Sequence, residues 1–177
     1  MSHPTFLEGD RVTLHPLEED DLEFCHGAIN RPEIRKRVLS TTPLRMADEE
    51  EWYESLDPEE PPFMIRADGD RVGVVGINEV NDVWGTALIG YWIHPDHWRN
   101  GYCTDAVRCV ERYAFDERRL AKLAADALVT NEGSRRVLEK AGFEHEATLR
   151  KEAFVDGERV DLARYGLLAE EWRDGDG

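Results

Sequence analysis

Three strand-like segments follow one another in the middle of the chain, and this succession restricts it to folds that contain an antiparallel sheet. Apolar and β-branched residues dominate Phe63 to Ala67, Arg71 to Val80 and Thr86 to Ile93. The pairs Asp68-Gly69 and Asn81-Asp82 lie between these segments and favour tight turns. Segments joined so closely pair most simply as an antiparallel meander.

The rest of the chain adds helices and further strands. The part before the meander predicts one strand and three helices: Arg11 to Leu17, then Glu18 to Ile29, Pro32 to Leu39 and Ala47 to Leu56. The part after it predicts helices at Cys103 to Arg118 and Glu132 to Ala141, and strands at Lys122 to Val129, Phe143 to Val155 and Arg159 to Leu168. This order predicts the α+β (mixed α/β) class, with a central mixed, mostly antiparallel sheet flanked by helices. We expect a single domain over residues 1–177, with its core at about residues 11–172.

The charge balance excludes two classes of partner. The chain has 38 Asp and Glu residues against 22 Lys and Arg, which gives a formal net charge of -16. Phosphate backbones and anionic membranes repel such a surface, so we expect no nucleic-acid and no membrane partner. The acidity itself has two explanations that the sequence leaves open. It fits a halophilic adaptation of the whole surface, and it fits the attraction of a cationic substrate.

Cysteine usage and the N-terminal residues favour a cytoplasmic protein. Cys25, Cys103 and Cys109 form no CxxC pair, which favours a reducing compartment over a disulfide framework. No apolar run reaches the length of a membrane span, and residues 1–10 lack the features of a secretory signal. The oligomeric state, monomer or homodimer, is left open.

The segment from Tyr91 to Ala106 carries the most chemistry. A strand ends there, a polar turn with Gly101 follows, and a long helix begins. The first N–H groups of a helix lack intrahelical partners, and the helix dipole adds positive partial charge. The junction therefore predicts an anion site. Gly101 allows a ligand to approach the backbone closely, and Arg99 adds a positive charge. An ordinary helix start capped by Thr104 or Asp105 would show the same pattern. Neither a Walker A loop nor a GxGxxG fingerprint is present.

A metal site is the other chemistry that this segment offers. His94, Asp96 and His97 carry ligand atoms, but Pro95 interrupts the run and no further ligand is evident. We therefore expect no metal.

A resemblance to the GNAT acetyltransferases rests on three stretches. The acetyl-CoA motif of that superfamily is similar to Gly90-Tyr91-Trp92-Ile93-x-Pro95 followed by Trp98-Arg99-Asn100-Gly101-Tyr102-Cys103-Thr104-Asp105-Ala106. Residues 131–143 resemble its second signature, and residues 154–172 resemble its C-terminal part. The chain looks like the branch that includes ribosomal-protein alanine and serine N-acetyltransferases (RimJ/RimL-like) and spermidine acetyltransferases. The likeness spans about Arg11 to Trp172.

The resemblance implies acetyl-CoA as co-substrate and assigns residues to it. The coenzyme diphosphate would bind backbone N–H groups of Trp98, Arg99, Asn100, Gly101, Tyr102, Cys103 and Thr104. Ile93 would pair with the pantetheine arm, and Asn131 would contact the cofactor near that arm. Ser134 would also lie at the cofactor and protonate the leaving thiolate. The family motif usually has Gln or Arg at Trp98, and Gly or Ala at Cys103, which we interpret as a small filler residue.

The general base does not follow from the family pattern. Many relatives carry Glu at the position of Leu88, so a familiar candidate is absent. Glu79, near a strand end, is the candidate base, and the alternative is that water or the acceptor's own low protonation replaces a protein base. We expect Tyr91 to line the cleft or donate a hydrogen bond. Plain structural roles compete: an exposed carboxylate for Glu79, a core aromatic for Tyr91, an N-cap for Asn131 and a first-turn polar residue for Ser134.

The predicted reaction is transfer of an acetyl group from acetyl-CoA to a primary amine, with a ribosomal-type protein N-terminal amine as the leading acceptor. The alternatives are a polyamine or aminoglycoside acceptor, a non-catalytic acyl-CoA-binding sensor, and a nucleotide-binding protein that uses the same anion site.

Overall fold

The computed structural model describes residues 3–175. Its strands are β1 (Leu7–Glu8), β2 (Thr13–Pro16), β3 (Phe63–Ala67), β4 (Asp70–Asn81), β5 (Thr86–Ile93), β6 (Lys122–Leu128), β7 (Glu144–Val155) and β8 (Glu158–Leu168). Its helices are α1 (Leu22–Ile29), α2 (Pro32–Arg35), α3 (Met46–Glu54), α4 (Tyr102–Arg112), α5 (Glu132–Lys140) and α6 (Ala169–Asp174). Short 3-10 turns precede α1 and α4, at Glu19–Asp21 and Pro95–His97.

The strands form one sheet in the order β1-β2-β3-β4-β5-β6-β8-β7. β3 pairs antiparallel with β4 across the short turn at Gly69, and it also pairs antiparallel with β2. β5 and β6 pair parallel, while β8 pairs antiparallel with β6 and with β7. The predicted α+β class, with a mixed and mostly antiparallel sheet flanked by helices, is confirmed. No helix among residues 3–175 is long and apolar enough to cross a membrane.

Two helices end several residues earlier than predicted. The helix expected from Pro32 to Leu39 ends at Arg35, because the chain turns and Leu39 takes a left-handed φ of +59°. The helix expected to run to Arg118 is α-helical only to Arg112, and a π-helical turn, Tyr113–Glu117, continues it. The two-residue β1 and the six-residue α6 were not predicted, because each is too short to show a periodic pattern.

Internal contacts divide the chain into two compact units. The first comprises Met1–Gly76 and Tyr91–Cys109, and the second comprises Ile77–Gly90 and Val110–Gly177. Buried residues of the first unit include Leu17, Leu22, Cys25, Met64 and Val74. The second unit buries Phe115, Leu123, Leu138, Tyr165 and Leu167, each at most 2% exposed. The expectation of a single domain stays a prediction.

Candidate functional site

The turn before α4 holds two residues in the left-handed region. Arg99 has a φ of +64° and Gly101 a φ of +77°, with Asn100 between them. The N–H of Asp105 donates to the carbonyl of Gly101 at 3.1 Å, which is the first intrahelical bond. The N–H groups of residues 102–104 therefore start the helix without intrahelical acceptors and lie at the positive end of its dipole. Free N–H groups at a helix start can bind an anion.

Asp105 does not cap α4 but holds the loop between β1 and β2. Its carboxylate accepts three backbone N–H groups, from Asp10 at 3.2 Å, Arg11 at 2.7 Å and Val12 at 3.0 Å. Gly9 leaves room for this approach, since a Cβ there would lie 2.6 Å from Asp105 Oδ2. These three hydrogen bonds fix the loop between β1 and β2 to the first turn of α4, beside the predicted anion site.

The same loop places a cation at the turn. The Arg11 guanidinium donates through Nη1 to the carbonyl of Asn100 at 2.9 Å, and the Asn100 amide donates to the carbonyl of His97 at 3.1 Å. Arg11 is exposed, so its charge is open to a ligand at this turn. Sequence analysis missed Arg11, because it lies 89 residues from its partner and no local pattern marks it.

Asp105→Ala is expected to lower the free energy of unfolding by about 2–3 kcal/mol, since it removes a charged acceptor shared by three N–H groups. It should also weaken acetyl-CoA binding severalfold, because Arg11 loses its position beside Asn100. Urea titration and calorimetry measure the two effects. Asp105→Asn keeps one acceptor oxygen and should lose less stability. Equal stability of wild type and Asp105→Ala would show that the three hydrogen bonds to Asp105 do not stabilise the fold.

Trp98 closes the turn that leads into this site. Its indole N–H donates to the carbonyl of Ile93 at 2.8 Å, and the Arg37 guanidinium lies 4.2 Å from its ring centroid. The family's Gln or Arg is thus replaced by a side chain that fixes the turn through a hydrogen bond and a cation–π contact. Ile93 itself is 8% exposed, and its carbonyl already accepts one donor.

His94 contacts Arg31, which lies between α1 and α2. Arg31 Nη1 lies 3.1 Å from His94 Nε2, and since a guanidinium only donates, Nε2 carries the lone pair. Burial, aided by the nearby Arg31 charge and opposed by Asp96, lowers the pKa of His94. The Nε2 atom is therefore engaged in an interaction other than metal ligation. Among residues 3–175, ligand atoms that could share an ion meet at His3, Asp20 and Asp21, and Asp21 already accepts from the guanidinium groups of Arg66 and Arg71.

Cys103 is not an activated thiol. Burial raises its pKa to about 12, which outweighs the lowering that a helix start would give. Burial also raises the pKa of Cys25 to about 12, with Glu49 and Asp21 adding to the effect. Both thiols therefore stay protonated near neutral pH.

We expect the native protein to react slowly with a disulfide reagent such as Ellman's reagent at about pH 8, because the thiolate is the reacting form. All three cysteines should react at once after unfolding in guanidinium chloride. Cys109 is 1% exposed, so rapid release of one equivalent from the folded protein would indicate a thiolate at Cys25 or Cys103 and contradict their raised pKa values.

The second unit holds Asn131 and Ser134 at the start of α5. The Asn131 side-chain oxygen accepts from the N–H of Ser134 at 3.2 Å, so the expected N-cap is confirmed. The helix is tied to β8, because Arg135 donates to the Tyr165 hydroxyl at 3.1 Å and that hydroxyl donates to Glu139 at 3.1 Å. Tyr165 is 1% exposed, so this anchor is rigid.

The candidate base and the candidate cleft aromatic differ in setting. Glu79 is exposed on β4 and takes a left-handed φ of +51°, a conformation that distorts the strand. Its charge acts on Arg164, whose pKa is raised first by the paired Asp126 carboxylate and further by Glu79. Tyr91 is half-buried on β5, so a fully buried core role does not describe it.

The first unit also buries a carboxyl group on α3. Glu49 lies on α3, is 6% exposed, and accepts no hydrogen bond from any side chain or N–H among residues 3–175. Burial raises its pKa. Met46 and Tyr53 share its helix face by spacing and pack, with Phe24 and Trp92, against the buried cluster of this unit. Sequence analysis missed this feature, because α3 reads as a uniformly acidic helix.

Comparisons with known proteins agree with these features. The family model "Acetyltransferase (GNAT) domain" matches residues 11–144, more than half of the chain. The chain belongs to the GNAT acetyltransferase family. It is 33% identical to the uncharacterized N-acetyltransferase YoaA of Bacillus subtilis over 92% of this chain and 96% of that protein. It is 39% identical to YdaF of the same organism, a candidate ribosomal N-acetyltransferase, over 59% of this chain and 57% of that protein.

A solved structure extends the likeness to the whole fold. The spermidine N-acetyltransferase of Vibrio cholerae, in complex with CoA and spermine, superposes with a TM-score of 0.85 at 26% identity, over 92% of this chain and 98% of that one. This GNAT protein is therefore an acetyl-CoA-dependent N-acetyltransferase, with CoA chemistry and an amine acceptor in common with its relatives. The two kinds of relative differ in acceptor.

Proposed function

We propose that this GNAT enzyme acetylates a protein N-terminal amine, with the coenzyme diphosphate bound at the turn from Trp98 to Thr104. The observation that carries the site is the pair of left-handed residues, Arg99 and Gly101, at the start of α4. They precede the free N–H groups of the first turn of α4, where the helix dipole and Arg11 add positive charge. In a chain of net charge -16 this local cationic site is selective for an anionic ligand.

The remaining predicted residues have roles in the transfer step. Ile93 binds the pantetheine arm through its backbone, and Asn131 contacts the same arm from the N-cap of α5. Ser134 donates the proton that the leaving thiolate takes up, and Glu79 accepts the proton that the attacking amine releases. Tyr91 lines the acceptor cleft. The amine must be neutral to attack, so activity rises with pH as the acceptor deprotonates.

Ser134→Ala tests the proton-donor role. We expect kcat to fall about ten- to thirtyfold while the Kd of acetyl-CoA stays constant, since a donor to sulfur acts only in the transition state. Single-turnover kinetics and calorimetry separate the two quantities. An unchanged kcat would assign Ser134 to the first turn of α5 alone.

A small cationic amine is the second acceptor that an observation favours. Glu49 is a buried carboxyl whose helix face also carries Tyr53 by spacing, and the pKa of Tyr53 is raised by burial and by the charges of Glu18, Glu19, Asp21 and Asp20. Buried carboxylates and aromatic faces attract ammonium groups. The spermidine-acetylating relative is consistent with such an acceptor.

A thiol-release assay with peptides that begin with Ala, Ser and Thr, and with spermidine, decides between these acceptors. The proposal predicts the largest kcat/KM for a peptide. Higher kcat/KM for spermidine, with a specific loss in Glu49→Gln, would assign the enzyme to small amines. Tight acetyl-CoA binding without turnover of any acceptor would indicate a sensor, and preferential binding of ATP would contradict the site.

A further inference from the structure

The turn between β4 and β5 exposes two large apolar side chains. Val83 is 91% exposed and Trp84 is 74% exposed, whereas the next most exposed aromatic, Phe154, has the Arg159 guanidinium 5.5 Å from its ring centroid. An exposed tryptophan is uncommon on a monomer surface and is typical of residues that contribute strongly to interfaces. We call Asp82, Val83 and Trp84 the apolar tip.

The apolar tip is held rigidly. The side-chain oxygen of Asn81 accepts the N–H groups of Val83 at 3.1 Å and Trp84 at 3.0 Å, and the carbonyl of Asn81 accepts the N–H of Gly85 at 2.7 Å. The carbonyl of Gly85 accepts the N–H of Ala121 at 2.7 Å. A side chain presented on such a turn loses little conformational entropy when it binds.

A groove lies beside the apolar tip, within the same compact unit. The groove has a volume of about 610 Å³. One of its lining residues is Ala121, whose N–H donates to the carbonyl of Gly85 directly after the apolar tip. Its apolar lining comes from the π-helical turn, the loop that follows it, β8 and α6, which contribute Phe115, Leu120, Leu168 and Ala169 respectively. The charged side chains that line it are Asp116, Arg119, Glu170 and Arg173, so two cations balance two anions. In a chain of net charge -16, this is a region where another acidic surface meets little repulsion.

We propose that the groove binds the apolar tip of a second copy of this chain, so that two protomers form a reciprocal two-fold dimer. Because tip and groove are neighbours on one unit, a two-fold axis between them places each tip in the partner's groove and closes the assembly. Trp84 supplies apolar area for the groove, and Asp82 pairs with an arginine there, Arg119 or Arg173. The dimer does not depend on the acceptor or on the coenzyme site.

Sedimentation over a concentration series tests the dimer. Wild type should show a reversible monomer–dimer equilibrium, and Trp84→Ser should raise the dimer Kd at least about tenfold. Phe154→Ser, which removes another exposed aromatic, is the matched control and should dimerise like wild type. Wild type that stays monomeric at all concentrations, or Trp84→Ser that dimerises equally well, would overturn the proposal.

A charge exchange tests the arrangement itself. Asp82→Arg and Arg173→Asp should each weaken the dimer, and the double variant should recover most of the wild-type affinity, since opposite charges face each other again. All variants should bind acetyl-CoA with the same Kd in calorimetry. This measurement serves as the control that they are folded. A double variant that dimerises no more tightly than the single variants would contradict the pairing of Asp82 with Arg173.

Discussion

Gly101→Asp is expected to raise the Kd of acetyl-CoA at least about a hundredfold. A carboxylate against the coenzyme diphosphate places like charges in contact, which costs several kcal/mol, and about 2.7 kcal/mol corresponds to a hundredfold in Kd. A Cβ at Gly101 would also lie 3.9 Å from Arg11 Nη1. The new carboxylate would therefore pair with Arg11 and remove a cation from the site. Isothermal titration calorimetry measures the change.

Two control variants separate charge from backbone strain. Gly101→Ala places an L-residue at the same φ of +77° without a charge, and we expect at most about a fivefold loss of affinity. Gly69→Asp adds a carboxylate at another left-handed glycine, with a φ of +88° and no atom within 4 Å of its Cβ, and should leave affinity unchanged. Wild-type affinity in Gly101→Asp would place the diphosphate elsewhere.

Gly73→Ala is expected to lower the free energy of unfolding by at least about 3 kcal/mol, because the clash is with backbone. A Cβ at Gly73 would overlap the carbonyl oxygen of Trp92 and lie 2.9 Å from Ile93 Cα. Neither atom can yield without moving β5 away from β4. Since Trp98 bonds to the carbonyl of Ile93, the same shift should weaken acetyl-CoA binding.

Gly27→Ala is the matched control for that substitution. Gly27 lies inside α1, and no atom lies within 4 Å of a Cβ built there. The substitution should therefore stabilise the protein by about 0.5–1 kcal/mol through higher helix propensity. Urea titrations of both variants should give changes of opposite sign. A Gly73→Ala protein as stable as wild type would show that the strands separate easily.

Local signals predicted the elements that lie between strong turns. β3 and β5 have the predicted bounds, because Asp68-Gly69 fixes one end of β3 and the turn at Asn81 precedes β5. The N-cap at Asn131 and the left-handed Gly142, with a φ of +93°, also follow from rules that involve only neighbouring residues. The same rules located the turn at Gly101.

The interactions that support the site could not be predicted in this way, because their partners are far apart in the chain. Asp105 is 93 to 95 residues from the three N–H groups that it accepts. Its sequence context suggests an ordinary helix cap, and only the folded structure shows that Asp105 binds the loop between β1 and β2. In the sequence, Glu49 likewise looks like one of many surface carboxylates, and only the fold shows that it is buried.

A crystal structure of this enzyme with acetyl-CoA bound tests the central claim most directly. The account predicts diphosphate oxygens within hydrogen-bond distance of N–H groups between Arg99 and Thr104, with the Arg11 guanidinium beside them. A diphosphate bound anywhere else on the protein, with these N–H groups facing only solvent, would contradict it.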